Sequence, residues 1–206
     1  MQNAKKLISG VAAALIFAAP LAAHAVDLNF NGAVSNGTRL AQSYGDGPTW
    51  DVTYADLTTH SSSLIGWTTN YQGTNDVLYS GTSDANSHGR ITIAPNSGYQ
   101  VTLNSFDLTP YLPNNARGFS SQWAVYAAGG TPSFASVGPL TALTTFSPSF
   151  SSNTGVVIEW KTSAYNVGID NINFSVTAVP EPETYALFLA GLGLMGAIAR
   201  RKKPTA

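Results

Sequence analysis

The middle of this chain predicts an all-β fold, a β-sandwich of jelly-roll type, set between an N-terminal signal peptide and a C-terminal transmembrane helix. Three observations carry that expectation. Short runs of alternating apolar and polar residues recur through residues 26–178, bounded by Gly, Asn, Pro or Ser. That is the period-two pattern of strands with one buried face. No stretch of the same segment keeps helical spacing. Its composition is rich in Ser, Thr, Asn and Gly, low in charge and free of cysteine, so packing rather than disulfides must hold it.

The chain opens with Lys5 and Lys6, an apolar run over residues 7–19, and then Ala23-His24-Ala25. A basic start, a short apolar core and a small-x-small site make a secretory signal peptide of residues 1–25. Cleavage after Ala25 leaves Val26 as the first mature residue and removes His24. Residues 26–178 then suffice for one domain with a substantial core. Trp50, Val52 and Tyr54 alternate with polar neighbours after Gly45-Asp46-Gly47-Pro48, and Ile91 and Ile93 do so before Pro95-Asn96-Ser97-Gly98. Trp123 and Val125 precede Gly129-Gly130, and Val156, Ile158 and Trp160 follow the same rule. Eight to ten such strands are expected.

Two strands change phase midway. Val101 and Leu103 are followed by Phe106 and Leu108, and Val167 and Ile169 by Ile172, Phe174 and Val176. A step of three inside a period of two needs one extra residue, so β-bulges are expected at Asn104-Ser105 and Asp170-Asn171.

Residues 179–206 form the last unit. Pro180-Glu181-Pro182 makes a stiff extended spacer. Residues 185–199 read YALFLAGLGLMGAIA, which as a helix would be about 22 Å long. That is short of the roughly 20 residues of a usual span, so the transmembrane helix is placed at about residues 184–199, with Thr184 and snorkelling arginines completing it. Arg200, Arg201, Lys202 and Lys203 mark the cytoplasmic end. Both termini keep their basic residues on that side, so the domain between them is translocated.

This tail resembles the PEP-CTERM sorting signal of Gram-negative bacteria. Pro180, Glu181 and Pro182 fill its signature, the Gly-rich half of the span fills residues 191–199, and Arg200, Arg201, Lys202 and Lys203 fill the basic end. The resemblance implies a substrate of an exosortase, a membrane processing enzyme. It implies transient anchoring in the inner membrane with the domain on the periplasmic side, followed by passage to the cell surface or the extracellular, biofilm-type matrix. It also implies a link to exopolysaccharide. The two bulged segments resemble PEP-CTERM passenger domains and, more loosely, carbohydrate-binding jelly rolls. In the latter, acidic residues of the first and last strands share a structural calcium. Asp27 and Asp170 match that pattern, and no Asp-x-Asp-x-Asp loop reinforces them. The other reading has Asp170 hydrogen-bonding its own bulge. No other cofactor is implied.

Charge excludes one class of partner. Residues 26–178 hold four Lys/Arg against nine Asp/Glu, a net charge of −5. Nucleic-acid binders need a basic footprint, so none is expected to bind. Signs of catalysis are equally sparse. Gly191-Leu192-Gly193-Leu194-Met195-Gly196 spells a dinucleotide motif but lies in the apolar run with no preceding strand; small-residue helix packing fits it better. Glu159 stands two residues from Lys161 and is expected to make a surface ion pair with it. His60 and His88 lie in polar, turn-rich segments and are expected to be solvated. No convergent carboxylate pair and no Gly-x-Ser-x-Gly elbow is found. An enzyme is therefore not expected.

Aromatic residues remain. Trp50, Trp123 and Trp160 fall at alternation positions and read as core. Trp67 and Tyr71 lie in Ile65-Gly66-Trp67-Thr68-Thr69-Asn70-Tyr71-Gln72-Gly73. They are either an exposed platform for stacking on a sugar face or a half-buried cover on the sandwich edge. The sequence thus leads to a non-enzymatic exported envelope or matrix protein, with a carbohydrate-binding module second and an extracellular hydrolase third.

Overall fold

The computed structural model describes residues 23–83, 86–111, 119–180 and 182–201. Residues 1–22 of the expected 1–25 signal peptide, together with Glu181, Lys202 and Lys203, lie outside the described residues. In chain order the strands are β1 (His24–Leu28), β2 (Trp50–Asp56), β3 (Ile65–Trp67), β4 (Val77–Tyr79), β5 (Ser87–Pro95) and β6 (Tyr99–Pro110). They continue as β7 (Phe119–Ala127), β8 (Ala135–Leu140), β9 (Thr144–Phe146), β10 (Phe150–Ser152), β11 (Val156–Thr162) and β12 (Val167–Ala178), and α1 (Pro182–Arg201) follows.

One sheet runs β10-β6-β12-β4-β3, with β1 also on β12 and β9 also on β6; the other runs β2-β5-β11-β7-β8. The all-β class holds, with antiparallel pairing between the strands. Among the described residues, four of the twelve strands, β3, β4, β9 and β10, are only three residues long. Three residues show too little alternation to be recognised, which is why fewer strands were expected.

The core lies between the sheets. Trp50, Val52 and Tyr54 of β2 are buried while Asp51 and Thr53 are exposed, as the alternation requires. Trp50 meets Phe174 edge-on at 5.8 Å, and Phe106 meets Trp123 at 5.6 Å, so aromatic rings tie one sheet to the other. Trp160 is fully buried and donates through Nε1 to the Val167 carbonyl at 2.9 Å. Gly89 is required beneath it, because a Cβ there would come within 2.6 Å of the indole.

Both expected bulges are present. Asp107 pairs with Asp170 and Leu103 with Phe174, whereas between them Ser105 pairs with Asn173. The extra residue on β12 at Asn171, where φ is 49°, is offset by one on β6 at Asn104. The register is therefore the same on both sides of the irregularity, and Ile169, Ile172, Phe174 and Val176 all reach the core.

Strand β1 begins at His24, and His24 and Ala25 pair with Val176 and Ser175. Cleavage after Ala25 would fall inside this strand and leave Val26, Asp27 and Leu28 on Phe174, Asn173 and Ile172. A helix does follow the Pro-Glu-Pro spacer, with Pro182 in its first turn, where a missing N–H costs nothing. Leu187, Leu189, Leu194 and Met195 on it are exposed. Among the described residues no helix is long and apolar enough to cross a membrane.

Candidate functional site

Four segments build an aromatic pocket at one end of the sandwich. The short β3–β4 hairpin sets Trp67 opposite Val77 and Ile65 opposite Tyr79. Its loop is shaped by left-handed backbone at Asn70, Gly73 and Asp76. Tyr71 of that loop bridges to Tyr111, just beyond β6. The connection from β11 to β12 is held against both: the Tyr111 amide donates to the Asn166 carbonyl at 2.9 Å, and the Ser80 amide to the Ala164 carbonyl at 3.0 Å. The Tyr165 amide donates to Ser87 Oγ at 2.8 Å.

These bonds bring Trp67, Tyr71, Tyr79, Tyr111, Tyr165 and Asn166 around a cavity of about 70 Å³. The rings meet mostly edge-to-face. Trp67 lies 6.1 Å from both Tyr79 and Tyr111, and Tyr79 lies 5.6 Å from Tyr165. Tyr71 and Tyr111 are tilted at 5.3 Å. Burial raises the Tyr71 phenol well above the usual tyrosine range, and the neighbouring Tyr79, Tyr111 and Tyr165 add to it; burial raises Tyr79 also. The Tyr71 and Tyr79 hydroxyls therefore stay neutral and serve as hydrogen-bonding groups. Trp67 Nε1 is out of solvent and has no protein partner among the described residues.

Sequence reasoning placed two of these six residues and misjudged one of them. Tyr71 is buried, at 5% exposure, so it is not the exposed ring of a flat platform; the bridge to Tyr111 folds it inward. Trp67 is half-buried. The exposed ring is Tyr165, from a turn 98 positions along from Trp67 in the numbering. Such convergence has no local signature, although a tyrosine inside the turn Ser163-Ala164-Tyr165-Asn166 is a signal of a kind.

A second polar cluster lies on the outer face of the β2-β5-β11-β7-β8 sheet, and it corrects the reading of Glu159 and His88. Glu159 is buried, at 1% exposure, and does not pair with Lys161. Its register neighbours are Arg90 on β5 and Ala124 on β7. Arg90 Nε donates to Oε1 at 2.6 Å, Tyr126 Oη donates to Oε1 at 2.5 Å, and His88 Nε2 lies 2.9 Å from Oε2. Burial works against the charged carboxylate, but the bonds from His88, Tyr126 and Arg90 outweigh it and bring its pKa down to about 2. His88 belongs to β5 and is half-buried rather than a solvated loop residue. His60 is exposed, in a turn with φ 55°.

Asp27 and Asp170 are not brought to a common partner. Asp27 is exposed and accepts from Asn173 Nδ2 across the β1–β12 pair. Asp170 is fully buried; Thr74 Oγ1 donates to its Oδ2 at 2.5 Å, the amides of Asn171 and Phe30 also reach it, and Oδ1 has no partner among the described residues. Burial raises its pKa. Asp107, opposite it in register, is satisfied by Thr145 and Asn171. Among the described residues no three His, Cys, Asp or Glu side chains converge as metal ligands.

The C-terminal unit is decided by comparison with known families. Residues 178–203 match the PEP-CTERM protein-sorting motif. That match covers Pro180, Glu181 and Pro182 as well as Arg200, Arg201, Lys202 and Lys203. A PEP-CTERM tail supports an exported protein sorted through its C-terminus, anchored at the membrane before an exosortase, a membrane enzyme, processes it. No curated protein matches the chain.

Proposed function

We propose that this PEP-CTERM protein is a non-enzymatic component of the extracellular matrix that binds exopolysaccharide through a jelly-roll sandwich. The observation that carries the reading is the pocket of Trp67, Tyr71, Tyr79, Tyr111 and Tyr165 around Asn166. Aromatic walls offer flat apolar surface to the C–H bonds of a sugar, while phenol hydroxyls and an amide serve its hydroxyls. At about 70 Å³ the cavity has room for an edge or substituent of a sugar unit, with the rest of the unit lying against the exposed Tyr165. The pocket offers groups for many weak contacts and none suited to moving protons near neutral pH. The tail accounts for delivery: exosortase processing releases the domain to the surface where polysaccharide is found. A calcium bridging Asp27 and Asp170 forms no part of this reading, because the two carboxylates have separate partners.

The test is titration of the full chain with neutral oligosaccharides and with exopolysaccharide from a strain that produces both. Trp67→Ala is expected to weaken binding by about 1–3 kcal/mol. Unchanged affinity in that variant would remove the pocket from the account.

A further inference from the structure

We infer that the cleft formed by Asn86, His88, Gln122, Lys161 and Thr162 is a second ligand site, for a carboxylate-bearing sugar such as a uronic acid. The inference rests on the glycan-binding reading and adds the charge of the polymer to it. The cleft is about 370 Å³, within the size range of sites that hold a small-molecule unit, so it can take a whole sugar residue where the aromatic pocket takes an edge.

Charge selects the ligand. Residues 26–178 contain four Lys/Arg and are net negative, yet Arg90 and Lys161 both stand on this face with His88. Glu159 lies beneath them, and its oxygens are already engaged by Arg90, Tyr126 and His88. Its negative charge is thereby matched by the Arg90 guanidinium at 2.5 Å. Lys161 makes no ion pair with a carboxylate among the described residues. Its Nζ is instead held 3.6 Å from the centre of the Phe134 ring, and the same ring meets the His88 imidazole edge-on at 5.9 Å. The ammonium is thus positioned in advance and left with donors to spare. Gln122, Asn86 and Thr162 supply an amide, an amide and a hydroxyl for sugar hydroxyls.

Backbone strain is a separate observation at the same place. Thr162 has φ 79°, and Asn86 has φ 61°. A β-branched residue in the left-handed region is a costly conformation that persists where the surroundings enforce it, commonly at ligand sites. Residues 163–166 then run directly from this cleft to Tyr165 and Asn166 of the aromatic pocket, so the two sites flank one short connection.

The experiment is calorimetric titration of the full chain at low salt with an oligogalacturonate, with the same oligomer methyl-esterified, and with acetate. The acidic oligomer is expected to bind about tenfold more tightly than the ester, and the preference to shrink as salt rises. Lys161→Gln should abolish the preference and Lys161→Arg should retain it. Tyr165→Ala should weaken both oligomers equally. Equal binding of acid and ester, or a preference that survives Lys161→Gln, overturns the cleft and leaves the aromatic pocket standing. Binding of the acid that responds to Lys161→Gln but not to Tyr165→Ala supports the cleft and overturns the pocket. Acetate binding as tightly as the oligomer, or no binding by either oligomer, overturns the proposal.

Discussion

Glu159 faces outward from its sheet yet lies out of solvent, a position that a carboxylate tolerates only with its oxygens satisfied. Three donors do so here. Its pKa of about 2 lies below the ordinary value of 4.5. The unfolded chain therefore binds its proton more readily than the folded one, and stability falls as pH falls. The contribution is complete above about pH 4.5 and is lost progressively toward pH 2, amounting to about 2–3 kcal/mol. Glu159→Gln should lower stability by about that amount at pH 7 and flatten the acid limb of a denaturant-stability profile. A variant as acid-sensitive as the parent would show that other carboxylates govern acid unfolding. Asp56 contributes in the same direction, its pKa lowered by bonds from Thr59, Ser80 and Gly81 against the opposing effect of burial.

At the level of elements, β6 and β12 carry the most legible feature in the chain and also its limit. Their steps of three in a period of two located both bulges from sequence alone, because a face that must reach the core leaves no other solution. Nothing local indicated that the two irregularities lie opposite each other and cancel, since that depends on register between distant strands. Deleting Asn104 alone or Asn171 alone should offset the two strands by one residue on one side and cost several kcal/mol. Deleting both should recover much of that loss in a thermal melt. A double deletion less stable than either single one would contradict the cancellation. The same limit explains the site. Alternation identified Trp50 and Trp160 as core, and turn composition marked out Trp67, but Tyr79, Tyr111 and Tyr165 reach one pocket from separate segments. Glu159 was misread for a related reason: its i+2 neighbour Lys161 is close in sequence, while its partners Arg90 and Tyr126 come from adjacent strands.

Across the whole molecule, delivery and task are written in different places. The tail is a contiguous signal and could be read directly, whereas the aromatic pocket is assembled by the fold. Replacing Pro180, Glu181 and Pro182 with alanine should leave the chain exported but unprocessed, detected as a membrane-retained species of higher mass. Normal maturation of that variant would show that the signature is not what the processing enzyme reads. The central claim, that the aromatic pocket holds sugar, is tested most directly by Tyr165→Ala. That ring is exposed, and its backbone bonds to Ser87 and Tyr71 do not need the side chain. Affinity for the exopolysaccharide and melting temperature would be measured on the same preparation. The account predicts about a tenfold loss of affinity with the melting temperature nearly unchanged; undiminished binding at an unchanged melting temperature would contradict it.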